Sequence, residues 1–261
     1  MAPLPLSRAD LSKVRAVFTD VDGTLTTRGL LNSGALRAIE WLVAHHVKVV
    51  LVSGRPSGWG ECWARELPVA GVIVENGGLY YARKNHRLER VYAEPEPSRS
   101  RNRKRLARLV KAALRAVPGA RLSSDSVATE VDLAIDYAED ARLGPKAADK
   151  LEKFLHARGV KAVRSSVHVN CWLGDFDKAT MVRRFLKREW SMTLQKNDGR
   201  FVYVGDSFND APLFKAFALS VGVANVAEVL DTIDHPPRFI TRGREGKGFG
   251  EVADAVTRSK T

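Results

Sequence analysis

The stretch around which the chain is organised reads Ala16-Val17-Phe18-Thr19-Asp20-Val21-Asp22-Gly23-Thr24-Leu25-Thr26. Its first half is apolar and β-prone, and it ends in two carboxylates one residue apart, followed by a glycine. Parallel sheets carry their chemistry at the carboxyl ends of their strands. An Asp-Gly pair after a buried strand is also the ordinary composition of a turn, so the remaining motifs must decide between catalysis and a turn.

The composition is that of a globular protein with a sizeable core. The chain has 261 residues, of which 44% are hydrophobic, and no apolar run approaches the roughly 20 residues that span a bilayer. A formal net charge of +12 indicates attraction to anions without choosing among them. Cys62 and Cys171 match no metal-ligand spacing, and residues 1–14 contain no signal-peptide pattern. We therefore expect reduced thiols, no membrane association and a cytoplasmic location.

The order of predicted elements indicates an α/β core interrupted by a second unit. Short apolar runs alternate with amphipathic helices before residue 81, and the same alternation resumes after residue 174, which is typical of a parallel sheet covered by helices. Between them, a basic helix over 98–117 and another over 145–158 accompany two alternating stretches, 127–137 and 160–173, each predicted as a strand. The expected domains are a core of residues 1–81 and 174–261 and an inserted α+β domain of residues 82–173.

Four short motifs fall at the predicted ends of these elements, and in this order they resemble the haloacid dehalogenase-like hydrolases, specifically the cap-bearing sugar-phosphatase type. The motifs are Asp20-Val21-Asp22-Gly23-Thr24, Ser53 after an apolar strand, Lys178 at a helix start, and Gly205-Asp206-Ser207-Phe208-Asn209-Asp210. The resemblance implies a Rossmann-like parallel-sheet core with an inserted α+β cap of the C2 type.

The resemblance also implies a role for each motif in phosphoryl transfer. Asp20 is expected to be the nucleophile that becomes an aspartyl phosphate, and Asp22 the general acid and base. Mg²⁺ is the expected cofactor, because it prefers oxygen ligands. Its expected ligands are Asp20, the Asp22 carbonyl, Asp206, and Asp210 directly or through water. The expected phosphate-binding residues are Ser53, Lys178 and Asn209.

The polar faces of the two alternating stretches are candidates for contacting the rest of the substrate. These candidates are Glu130, Asp132, Arg164, His168, Asn170 and Trp172. Arg55 and Asn76 follow strand ends, and similar residues lie near the substrate in cap-bearing relatives. All of these side chains are also compatible with solvated strands and turns.

These observations together predict a Mg²⁺-dependent phosphatase acting on a small phosphorylated metabolite, such as a sugar phosphate or related phosphomonoester. A sugar phosphomutase is the alternative, since it uses the same two acids with a sugar hydroxyl in place of water. The basic helix raises a third reading, a polyanion-binding or nucleic-acid-binding protein. No base-stacking aromatic residues interleave with its charges, so nucleic acid is not expected as a partner. The sequence does not specify an oligomeric state.

Overall fold

The computed structural model describes residues 2–165, 167–195 and 198–259, which form two sheets and seven α-helices. The strands are β1 (Leu4–Pro5), β2 (Ala16–Thr19), β3 (Lys48–Val52), β4 (Gly71–Val74), β5 (Leu79–Lys84), β6 (Arg87–Tyr92), β7 (Arg121–Leu122), β8 (Leu133–Asp136), β9 (Lys161–Arg164), β10 (His168–Trp172), β11 (Phe201–Gly205), β12 (Leu219–Gly222) and β13 (Phe239–Ile240). The helices are α1 (Ser33–Ala44), α2 (Ser57–Glu66), α3 (Glu96–Ala116), α4 (Pro145–His156), α5 (Lys178–Trp190), α6 (Ala211–Ala216) and α7 (Glu245–Arg258).

The larger sheet has nine strands in the order β1-β13-β12-β11-β2-β3-β4-β5-β6. Every pair from β1 to β4 is parallel, and the last two pairs are antiparallel. The strand β2 is central and buried on both faces: Val17 packs into one apolar layer with Ile39 of α1 and Phe249 of α7, and Phe18 into the other with Phe185 of α5. A strand covered on both faces reads as a continuous apolar run, which is why β2 was predictable.

The smaller sheet is antiparallel, in the order β7-β8-β10-β9. Helices α3 and α4 cover one of its faces, where Leu106 and Leu151 pack with Ile135 and Val169. Its other face carries His168 and Asn170, since side chains alternate along a strand. The predicted fold class, a parallel-sheet α/β core with an inserted α+β unit, is confirmed.

The two long strands predicted in the inserted unit are shorter than expected. Of residues 127–137, only Leu133–Asp136 pair as a strand, and Ser124–Ala128 forms a 3₁₀ helix. The reason is the buried carboxylate of Glu75, which accepts the backbone N–H groups of Glu130, Val131 and Asp132 and so removes them from a strand ladder. Residues 160–173 form the antiparallel pair β9 and β10 instead of one strand.

The antiparallel hairpin β5–β6 extends the larger sheet to Tyr92, so residues 82–92 pair with the core and not with the inserted unit. We therefore propose that the core domain continues to about residue 93 and resumes at 174, with the insertion between them. Within the described residues no helix is both long enough and apolar enough to cross a membrane.

Candidate active site

The acidic motifs meet at the carboxyl edge of the larger sheet. Asp20 follows β2, Ser53 follows β3 and Asp206 follows β11, and these three strands are neighbours. Gly23 lets the loop after Asp20 approach Asp206: its φ is +75°, and a Cβ there would lie 2.6 Å from an Asp206 carboxylate oxygen. A left-handed conformation with no space for a side chain requires glycine.

The Lys178 ammonium group bridges the carboxylates of Asp20 and Asp210. Lys178 is the first residue of α5, whose N-terminus is held by a capping box on Asp177. Its Nζ lies 2.8 Å from Asp20 Oδ1 and 2.8 Å from Asp210 Oδ1, and the side chain is 2% exposed. Burial alone would lower the pKa of Lys178, but the two carboxylates outweigh burial and hold its pKa above the ordinary 10.5. The ammonium group is therefore charged.

Asp210 is already saturated with hydrogen bonds. Its Oδ2 accepts the backbone N–H groups of Asp206 and Ser207 at 3.0 and 3.1 Å, while Oδ1 accepts from Lys178 and from the Tyr203 hydroxyl. A carboxylate with both oxygens engaged in this way holds its neighbours in place. Of the two forms of metal contact expected for Asp210, the one through water fits this environment better.

Asp206 is oriented by two hydrogen bonds. Thr24 Oγ1 donates to its Oδ1 at 3.0 Å, and Asn225 Nδ2 donates to its Oδ2 at 2.9 Å. Burial, and then repulsion from Asp210, raises the pKa of Asp206 to about 7. Burial is also the main cause that raises the pKa of Asp20, despite Lys178.

The carboxylates form a buried, oxygen-only cluster that fits a small hard cation. Ligand atoms of Asp20, Asp206 and Asp210 all lie within 4.8 Å of one another. Only the Lys178 ammonium is hydrogen-bonded to them as a cation within the described residues. Three carboxylates against one ammonium leave an excess of negative charge, which a divalent cation would neutralise. Oxygen donors of this kind suit Mg²⁺.

Asp22 lines a cavity of about 40 Å³ between the acidic cluster and the smaller sheet. The Arg55 guanidinium binds both of its carboxylate oxygens at 2.9 Å, and another Arg55 nitrogen lies 3.5 Å from Asp125 of the insertion. The same cavity is lined by Asp20, His168, Asn170 and Asn209. Core and insertion therefore meet around the carboxylates expected to be catalytic.

His168 and Asn170 are 7% and 4% exposed, and both project from β10 into this cavity. The Nε2 atom of His168 lies 2.9 Å from the Glu139 carboxylate but makes no aligned hydrogen bond. Asn170 packs over Gly54, where its Nδ2 would be 3.2 Å from an added Cβ. Both polar groups therefore face the interior of the cavity.

The other predicted substrate contacts are engaged with the protein itself. Arg164 does not line the cavity: its guanidinium binds Asp149 and Glu152, and it faces a separate groove of about 1240 Å³ that reaches Lys178 and Asn209. The remaining candidates are held as follows. Asn76 donates to Asp132 at 3.0 Å, Glu130 binds Arg90 and Ser57, and Trp172 donates to the Phe176 carbonyl. Arg164 therefore lies outside the cavity that Asp20 lines, paired with two acidic neighbours on α4, and its contact with a substrate stays a prediction.

Ser53 is fully buried, and its hydroxyl accepts the Arg55 backbone N–H at 3.0 Å. Within the described residues this hydroxyl donates no hydrogen bond.

The sequence reasoning missed Asn225, which ties three loops together. Its Nδ2 donates to the Gly23 carbonyl and to Asp206, both at 2.9 Å, and its Oδ1 accepts the Glu245 N–H at 2.9 Å. Asn225 follows β12, another parallel strand beside β11, so the rule that located Asp206 also applies to it.

Comparisons with known proteins agree with this arrangement. A family model described as haloacid dehalogenase-like hydrolase matches residues 17–99. The phosphoglycolate phosphatase of Archaeoglobus fulgidus is 25% identical over 244 residues, covering 92% of this chain and 96% of that protein. Among solved structures, Thermoplasma acidophilum 0175 has a TM-score of 0.71 at 21% identity, covering 93% of this chain and 98% of the other. The sucrose-phosphatase from Synechocystis sp. PCC6803 has a TM-score of 0.66 at 14% identity, covering 94% and 98%. At these identities the solved structures establish the fold alone.

The fold, the four motifs and these matches agree with the predicted resemblance to the haloacid dehalogenase-like hydrolases, whose family model matches residues 17–99. Within the class it is a phosphatase, as the sequence predicted.

Proposed function

We propose that the chain is a Mg²⁺-dependent phosphatase that hydrolyses a small phosphomonoester, such as a sugar phosphate, through an aspartyl phosphate on Asp20. The observation that carries the proposal is the pairing of two differently held aspartates. Asp20 accepts a hydrogen bond from the Lys178 ammonium at 2.8 Å, whereas Asp22 faces the cavity and is paired with the Arg55 guanidinium. One acid is thus presented as a nucleophile beside a cation, and the other as a proton carrier at the leaving-group side.

In the first step, the Asp20 carboxylate oxygen that is not bound to Lys178 attacks phosphorus, and the bond from phosphorus to the leaving oxygen breaks. Asp22 first takes a proton from solvent in exchange for one of its two Arg55 hydrogen bonds, and it then gives this proton to the leaving oxygen. It then takes a proton from the water that attacks the phosphorus of the aspartyl phosphate, which releases inorganic phosphate and restores Asp20.

The phosphate oxygens would be held by Lys178, Asn209 and the Ser53 hydroxyl. A Mg²⁺ ion held by Asp20, the Asp22 carbonyl, Asp206, and Asp210 through water would neutralise phosphate charge during transfer. Lys178 reduces the repulsion between the carboxylates and the incoming dianion.

The leaving group would be contacted by Arg55, His168 and Asn170 around the 40 Å³ cavity. We assign Asn76 a supporting role, since it donates to Asp132 and so links the core to the insertion. Arg164 is not included, because it does not line this cavity and is paired with Asp149 and Glu152 on its outer side.

The substrate class can be tested by measuring Mg²⁺-dependent phosphate release from a panel of sugar phosphates. Phosphoglycolate belongs in the panel, because the curated relative is named for it. The Asp20→Asn variant should be inactive on every compound. Release from hexose phosphates without a bisphosphate activator supports hydrolysis, whereas interconversion of sugar 1- and 6-phosphates without release would identify a phosphomutase and contradict the proposal.

The leaving-group contacts can be tested with substitutions in β10. His168→Ala and Asn170→Ala should raise KM for the best natural substrate while sparing p-nitrophenyl phosphate, whose leaving group needs no specific contact. Arg164→Ala, on the neighbouring strand but outside the cavity, is the matched control and should change neither. Equal effects of the β10 variants on both substrates would refute the assignment.

We also propose a cytoplasmic location, consistent with two unpaired cysteines.

A further inference from the structure

The insertion carries a strongly basic surface on the side facing away from the active site. Helix α3 contributes six exposed cations: Arg101, Lys104, Arg105, Arg108, Lys111 and Arg115. Their spacing of three and four residues places them on one side of the helix, opposite the buried Leu106 and Val110. Fourteen residue steps at about 1.5 Å each make this stripe roughly 21 Å long.

Two further arginines of the same basic segment, Arg99 and Arg103, do not belong to this exposed stripe. Arg99 lies 3.4 Å over the Tyr92 ring, and Arg103 donates to Thr129 and to the Asp132 carbonyl. Both therefore serve packing within the protein. Of the six remaining side chains, Arg101 and Arg105 donate only long hydrogen bonds, to the Ser98 hydroxyl at 3.4 Å and to the Arg158 carbonyl at 3.5 Å. All six are exposed and can reach an external anion.

Helix α4 extends the stripe into a surface. Lys146, Lys150 and Lys153 are exposed and spaced by four and three residues. Helices α3 and α4 contact each other and cover the same face of the smaller sheet, so their outer sides point in the same direction. We call these nine side chains of α3 and α4 the basic cap surface.

The charges of the basic cap surface are not balanced by the protein. Among the described residues none of the nine forms an ion pair, and Asp149 and Glu152 of α4 are both taken by Arg164. The sequence contains no acid from Pro97 to Ser124. Like charges three and four residues apart destabilise a helix by about 0.2–0.5 kcal/mol per pair, so a bound anion that neutralises them would stabilise α3.

The pattern fits one polyanion better than others. Double-stranded nucleic acid carries about one negative charge per 1.7 Å of its axis, a density that a 21 Å row of cations can follow. Neither α3 nor α4 has an exposed aromatic or other large apolar side chain, which disfavours base stacking on single strands and insertion into lipid. We propose that the basic cap surface binds the phosphate backbone of double-stranded nucleic acid without sequence preference. This revises the sequence-based expectation of no nucleic-acid partner, which rested on the lack of base-stacking aromatic residues and so concerns single strands. This goes beyond the phosphatase activity and does not depend on it.

The test measures the affinity of the full chain for a fluorescently labelled 20-base-pair DNA duplex by anisotropy, across a series of salt concentrations. If about six phosphates are contacted, the logarithm of affinity should fall with the logarithm of salt with a slope of about −5, or roughly 10³-fold between 50 and 200 mM. The variant Arg101→Gln/Arg105→Gln/Arg108→Gln/Lys111→Gln should bind weakly, with a slope of about −2 and roughly a 10-fold loss over the same range.

A matched control removes the same charge elsewhere. Lys13, Arg37, Lys84 and Lys187 are exposed on the core, and their simultaneous replacement by Gln should leave the slope near the wild-type value. Both variants should keep wild-type activity on p-nitrophenyl phosphate, which verifies folding. Equal weakening by both variants, absence of duplex binding at 50 mM salt, or binding to anionic phospholipid vesicles but not to duplex would each overturn the proposal.

Discussion

Replacing Asn225 should weaken metal activation more than it weakens the fold. Its amide makes three hydrogen bonds of 2.9 Å, one of them to the Asp206 carboxylate, which the proposed mechanism makes a metal ligand. Partners that orient a ligating carboxylate are typically worth about 10- to 100-fold in metal affinity, or roughly 1.4–2.8 kcal/mol. Asn225→Ala should therefore raise the Mg²⁺ concentration for half-maximal activity by about that factor, with kcat recovering at saturating Mg²⁺.

The assay is phosphate release as a function of Mg²⁺ at fixed substrate, with chemical denaturation measured on the same samples. Asn32→Ala is the matched control, because Asn32 caps α1 and bonds Thr27 without contacting the acidic cluster. Loss of that cap should cost about 1 kcal/mol of unfolding free energy and leave the Mg²⁺ dependence unchanged. An Asn225→Ala enzyme with wild-type Mg²⁺ dependence would show that Asp206 needs no such support, and the reasoning would fail.

Two further predictions concern stability and reactivity. Burial would raise the pKa of Asp136, but four backbone N–H groups of the following loop, from Ala138 to Ala141, donate to its carboxylate. These hydrogen bonds outweigh burial and hold the pKa of Asp136 below 3.8. The ionised carboxylate therefore stabilises the folded protein above that pH. Asp136→Asn should cost about 1.5–3 kcal/mol in denaturant titrations at pH 7, and the difference should disappear as the pH falls below the folded-state pKa; a constant difference would contradict the assignment. Cys62 is exposed, whereas Cys171 is buried, and burial raises the pKa of the Cys171 thiol. A thiol reagent should therefore modify only Cys62 in the native protein and both cysteines after denaturation. Rapid modification of Cys171 in the native protein would refute its burial.

The sequence predicted the structure best where local sequence patterns alone determine the position of a residue. The apolar run before Asp20 predicts a central strand, and acids after β2 and β11 must meet because parallel strands end at one edge. His168 and Asn170 were found from alternation alone, since side chains on one face of β10 point together.

The sequence failed where a distant partner changes a local preference. The alternating pattern of residues 127–137 favours a strand, but the Glu75 carboxylate binds three backbone N–H groups of that segment, and no local signal records this. Arg164 has the same alternation as His168, yet Asp149 and Glu152, which lie 15 and 12 residues earlier in the sequence, hold it outside the cavity. Tertiary partners, and not propensity, decide both cases.

The central claim is that Asp20 carries the phosphoryl group, and the Asp22→Asn variant tests it most directly. Because p-nitrophenolate leaves without protonation, this variant should still transfer the phosphoryl group, but it should be slow to activate water. With Mg²⁺ and p-nitrophenyl phosphate we expect a burst of one p-nitrophenol per enzyme and, after acid quench and digestion, a phosphoryl group on the peptide that contains Asp20. The Asp20→Asn variant should give neither. Phosphate release by Asp20→Asn at the wild-type rate, or a phosphoryl group on another residue, would contradict the account.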